Sequence, residues 1–90
     1  MTFKMKVDNV FFIKSLNRVI VTGVVAQGSV KVGDDLVVKT ASGDIPVRVE
    51  KLEHPRQILT AASKGQDVGL MLTGIGKEQV RDGDFVESSK

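Results

Sequence analysis

Cysteine is absent from the 90 residues, which excludes disulfide staples, thiolate zinc sites and a cysteine nucleophile. Tryptophan and tyrosine are absent too, and phenylalanine occurs four times, too few aromatic faces for a multi-base stacking platform. No apolar stretch approaches the ~20 residues of a membrane helix. Lys4, Lys6 and Asp8 put a charge at every second position near the start, unlike the core of a signal peptide. These absences lead to the expectation of a cytoplasmic chain with no membrane partner. Charge of one sign is not in excess either. Thirteen Lys and Arg face 11 Asp and Glu, a formal net charge of +2, so any affinity for phosphate rests on local placement of charge.

What is present favours strands. Val and Ile together occur 20 times, Leu and Ala 10 times, and β-branched side chains are stiff and pack well on a pleated surface. No segment carries an apolar repeat at helical spacing over three turns. Phe3, Met5 and Val7 alternate with charged neighbours, and Val10 to Ile13 continues them as an apolar run. A turn is expected at Ser15-Leu16-Asn17-Arg18, then a strand over Val19 to Ala26 ended by Gln27-Gly28. Further strands are expected at Leu36–Lys39, Ile45–Glu50, Val68–Thr73 and Phe85–Glu87, with His54 to Lys64 as a loop or a helical turn. Six or seven short strands with glycine-bearing turns make an all-β barrel or sandwich, one domain over residues 1–90.

Gly33-Asp34, Gly65-Gln66-Asp67 and Gly83-Asp84 each precede an apolar run. Glycine takes positive φ freely and Asp bonds nearby N–H groups, so turn chemistry is the expected role. A hard-cation site needs six or more converging oxygens, and no metal is expected.

Catalytic groups are scarce. His54, the one histidine, lacks the spaced partners of a zinc site and is expected to be solvated. Gly74-Ile75-Gly76-Lys77-Glu78 superficially matches a phosphate loop, but lacks the four-residue spacer and has an acid where Ser or Thr would hold Mg²⁺. No nucleophile elbow is present. The residues read as a non-catalytic β-barrel module without cofactor or nucleotide.

Val19-Ile20-Val21-Thr22-Gly23 followed by Gln27-Gly28-Ser29-Val30-Lys31-Val32-Gly33-Asp34 resembles the strand–turn–strand signature of domain 2 of elongation factor Tu and related translational GTPases. Val68 to Ile75 followed by Val80-Arg81-Asp82-Gly83-Asp84 resembles its closing signature, and Asn9 to Ile13 its opening strand. The resemblance runs from about Asp8 to Val86. It implies a small closed six- to seven-stranded β-barrel of the translation-protein type, without the family's GTPase domain. It also implies partners: tRNA or ribosomal RNA, or a translation-factor protein.

By position, the resemblance carries the family's 3′-adenosine pocket onto Asp8, Asn9, Phe11, Ile13, Ile20, Thr22, Glu50 and Met71. Alternation sets Glu50 and Met71 opposite the apolar faces of their strands, so these residues gather outside the barrel as an apolar patch beside an acid, or pack under a loop or a second copy. Val24 and Gln27 stand where the family has arginines, removing charge-assisted bonds. Lys4, Lys6, Lys14 and Arg18 are expected as a basic patch, either for a partner or as charges guarding a strand edge. Two functions follow: an RNA- or translation-protein-binding module, or a protein-interaction or self-assembly barrel, a homo-oligomer being its simplest form.

Overall fold

The computed structural model describes residues 2–54 and 57–89, residues 57–59 by their backbone alone. The described residues form strands and turns, with no helix. In chain order the strands are β1 (Lys4–Lys6), β2 (Asn9–Ile13), β3 (Arg18–Gln27), β4 (Ser29–Lys31), β5 (Asp35–Thr40), β6 (Gly43–His54), β7 (Gln57–Leu59), β8 (Ala61–Ser63), β9 (Asp67–Thr73) and β10 (Phe85–Ser88). Six of them close a barrel in the order β1-β10-β5-β6-β9-β3, with β1 returning to β3. The closed all-β barrel expected from the sequence is therefore the fold. β2 adds a further strand on β3, β7 pairs with β6, and β4 with β8 forms a separate ribbon.

β1 and β2 are two halves of one path along β3. β1 is registered to Val25 and Gln27, and β2 to Thr22 through Arg18. At the joint, the Val7 N–H donates to the Asp84 carbonyl at 2.8 Å and the Asp8 N–H to the Thr22 carbonyl at 2.7 Å. β1 can lie this close only because residue 23 is glycine: a Cβ there would collide with the Lys6 carbonyl. Steric room, rather than positive φ, is what this glycine supplies.

The alternation read from the sequence sets the core. Phe3, Met5, Val7, Val19, Val21, Val25, Leu36, Val38, Val47, Val49, Val68, Leu70, Leu72 and Val86 are all buried. Truncating a fully buried leucine such as Leu70 to alanine costs about 2–5 kcal/mol in such an interior. The three glycine-bearing turns are built alike. Gly33, Gly65 and Gly83 have φ of 93, 92 and 94°, the value a type II turn requires. Side-chain oxygens of Asp34, Gln66 and Asp84 accept the N–H three residues back, from Lys31 at 2.9 Å, Ser63 at 2.7 Å and Arg81 at 2.9 Å. In the middle turn the acceptor is Gln66, not Asp67.

Two expectations need correction. The stretch from His54 to Lys64 is neither loop nor helical turn where it is described: β6 runs to His54 and the chain returns as β7 and β8. Pro55 and Arg56 lie outside the described residues. Strands of three residues, such as β4, β7 and β8, are too short to display alternation. β6 also runs past Glu50. Its register to β9 shifts between Val49 and Lys51, leaving Glu50 as the extra residue of a bulge. The bulge changes the phase of burial from Val47 and Val49 to Leu52, which hides the continuing strand from a period-two reading.

Candidate functional site

The outer face of β2-β3-β9-β6 is assembled by register. Phe11 faces Ile20, Ile20 faces Met71 and Met71 faces Lys51 in one row. The neighbouring row runs Asn9, Thr22, Gly69 and Glu53. A groove of about 470 Å³ opens on this face, walled by Phe11, Ile20 and Thr22 on one side and by Glu53 and His54 on the other, with Asp67 and Gly69 also lining it. Gly69 makes the floor. A Cβ there would meet Ile20 Cγ2 at 3.4 Å and Thr22 Cγ2 at 3.5 Å, so a methyl group takes up part of the floor in ordinary contact with its neighbours.

The groove combines an aromatic and aliphatic wall with carboxylates and an imidazole. No lysine or arginine lines it among the described residues. Phe11 is 54% exposed, an aromatic face held out to solvent by a strand rather than by a loop. His54 Nδ1 is buried with no hydrogen-bond partner among the described residues. Chemically the site offers a flat apolar surface and hydrogen-bond acceptors. That arrangement suits a planar ring carrying amino groups.

Of the residues singled out in the sequence, Phe11, Ile20 and Thr22 are brought together here. Met71 sits beside Ile20 in the same outer row but is buried, at 4% exposure, and is not part of the groove lining. Asp8 and Asn9 line a different groove, of about 570 Å³, together with Val10, Phe12, Lys77 and Arg81. Ile13 is registered to Arg18 at the far end of β2. Glu50, in the β6 bulge, accepts a hydrogen bond from Arg18 Nε at 2.7 Å and lies outside the groove lining.

The four basic residues do not gather in one place. Lys4 and Lys6 lie on β1 beside β10, with Lys4 Nζ 4.8 Å from the Phe85 ring centroid. Lys14 follows β2, at the opposite end of β3 from Lys4, and Arg18 is engaged by Glu50 and by the carbonyls of Leu16 and Asn17.

Glu53, His54, Asp67 and Gly69 were missed by sequence reasoning. The bulge hid the first two, because they belong to a strand whose phase had slipped. His54 was expected to be solvated and is instead half-buried in the groove wall. The signal for Gly69 was available: a glycine inside the strand Val68–Thr73 marks close approach or bare surface.

Residues 18–87 match the family model described as elongation factor Tu domain 2. The selenocysteine-specific elongation factor of Escherichia coli (strain K12) is 35% identical over 86 residues, which is 94% of this chain and 14% of that protein. The crystal structure of translation elongation factor SelB from Methanococcus maripaludis, apo form, superposes with a TM-score of 0.87 at 30% identity, over 99% of this chain and 19% of that one. The chain thus spans less than a fifth of the length of either relative.

Proposed function

Starting from a chain that belongs to the elongation factor Tu domain 2 family, we propose a non-catalytic binding module that takes the unpaired 3′ end of an RNA, the terminal adenosine of a tRNA, into the groove on β2-β3-β9-β6. The observation that carries this reading is the groove itself: Phe11 and Ile20 on one wall, Glu53 and His54 on the other, over the bare floor at Gly69. A terminal base is flat, apolar on its faces and polar at its edge, and single-stranded ends present it unstacked. The aromatic wall receives the face. The Glu53 carboxylate receives the exocyclic amino group. The aromatic wall and the Glu53 carboxylate address the base rather than the phosphate, so affinity for a single terminal nucleoside depends only weakly on salt.

The test is a titration of the 90-residue chain with short single-stranded RNAs ending in A, C, G or U, followed by amide chemical-shift changes. The expected result is preference for terminal A, with shifts at Phe11, Thr22, Glu53 and Gly69, abolished by Gly69→Val while the fold is kept. Equal weak shifts for all four RNAs, or shifts confined to Lys4 and Lys6, would overturn it.

A further inference from the structure

β2 leaves one of its edges open. The Thr22 carbonyl accepts the Asp8 N–H, so the even residues of β3 turn their main-chain groups toward β2. Val25, an odd residue, instead exchanges bonds with Gly65 and Gln66, on the β9 side. By the alternation of an antiparallel ladder, Asn9, Phe11 and Ile13, registered to Thr22, Ile20 and Arg18, are the residues bonded to β3. The N–H and C=O groups of Val10 and Phe12 then point the other way. Among the described residues nothing pairs with that edge, and a groove of about 570 Å³ lies alongside Val10 and Phe12. The strand Asn9-Val10-Phe11-Phe12-Ile13 carries no charge and no proline, so neither of those edge protections is built into it, although a cation from outside the strand, Lys77, has its Nζ 5.0 Å from the Phe12 ring centroid.

We propose that the open edge of β2 takes β2 of a second copy of this chain, antiparallel and centred on Phe11. Pairing must use the outward groups of Val10 and Phe12. Centred on Phe11, Val10 bonds the partner's Phe12 and Phe12 bonds the partner's Val10, so both pairs of outward groups are satisfied. The flanking charges select the same register: Asp8 comes opposite the partner's Lys14, and Lys14 opposite the partner's Asp8. Centring on Val10 sets Asp8 against the partner's Phe12, and centring on Phe12 sets Lys14 against the partner's Val10. A parallel arrangement puts like charges side by side, which is destabilising.

Phe11, 54% exposed, faces the partner's Phe11 in a pair without direct main-chain bonds, where side chains approach closest. The assembly is closed. Each copy contributes its one β2 edge, so a two-fold dimer forms and not a fibre. The proposal does not depend on RNA binding.

Sedimentation velocity of the 90-residue chain, Asp8→Lys, Lys14→Asp and the double variant tests it, from about 10 μM to about 1 mM, the limit of meaningful affinity. The expected result is a concentration-dependent dimer, about tenfold weaker in each single variant because two attractive pairs become repulsive, and restored in the double variant. Hydrogen exchange supplies a second reading: the Val10 and Phe12 amides slow as concentration rises, while the Phe11 amide, already bonded to β3, does not change. A wild-type monomer at the top concentration, equal association of all four chains, or a dimer whose Val10 and Phe12 amides stay fast would each overturn the proposal. Should Asp8→Lys disturb the joint at Val7, circular dichroism shows it, and Lys14→Asp in the exposed turn then decides the register by its own loss of dimer.

Discussion

On the β5–β6 side of the barrel the outward charges come in bonded pairs. Lys39 Nζ donates to Asp44 at 2.8 Å and Arg48 Nε to Asp35 at 2.9 Å. The hydrogen bond to Asp44, then its charge, raises the pKa of Lys39, and Asp35 does the same for Arg48. On the β2-β3-β9-β6 side, Glu53 and Asp67 form no salt bridge among the described residues, and they border exposed Phe11 and a bare glycine floor. Both faces use the same pleated scaffold and the same acids. A face whose charges answer one another is complete in water. A face with an aromatic wall, acceptors and an unfilled floor gains by receiving something else.

The sharpest way to break this comparison is one substitution made at two glycines. Gly23 and Gly69 sit in adjacent, paired strands. Gly23→Ala forces a Cβ into the Lys6 carbonyl and should destabilise the chain by about 3 kcal/mol, the scale of severe overpacking, read by urea denaturation. Gly69→Ala should leave stability unchanged or raise it slightly, since strands favour a side chain over none. Its effect falls on the groove: affinity for an RNA ending in A should drop about tenfold, within the roughly 1–3 kcal/mol that a base stack is worth. Calorimetric titration would show this, and undiminished binding would remove Gly69 from the floor.

A smaller effect separates the acids of the two faces. Glu53→Gln should weaken RNA-end binding by about fivefold, the loss of one charged acceptor. Asp35→Asn, on the paired face, should leave binding unchanged and the melting temperature within error, because exposed ion pairs contribute little. The smallest effect is one of pH. A raised Lys39 pKa means that its contribution to stability is complete below the unfolded-state pKa and is lost as pH rises through the higher folded-state value. A thermal melt series from neutral to alkaline buffer should therefore show Lys39→Met slightly less stable than wild type at neutral pH, with the gap closing as pH rises and Lys39 loses its proton.

Much of this was legible because it is local. Alternation in Phe3-Met5-Val7 gave the buried face directly, in Val68–Thr73 it gave the core residues Val68, Leu70 and Leu72 but not the burial of Met71, and glycine before Asp or Gln gave the turns. Phe11, Ile20 and Thr22, singled out through the resemblance, line one groove together. Glu50 was placed in the pocket by the family resemblance, and counting by two from Val47 and Val49 carries it outward. It is outward, but the bulge turns it to Arg18.

The sequence by itself determined that β-branched strands with glycine turns must close on one apolar interior, since a chain this short has no other way to bury so many valines. Only the tertiary structure decided that β6 slips by one residue at Glu50, that His54 enters the groove wall, and that one edge of β2 has no strand partner among the described residues. Each of these depends on which strands become neighbours and in what register, a property of pairs far apart in the chain that no local pattern contains.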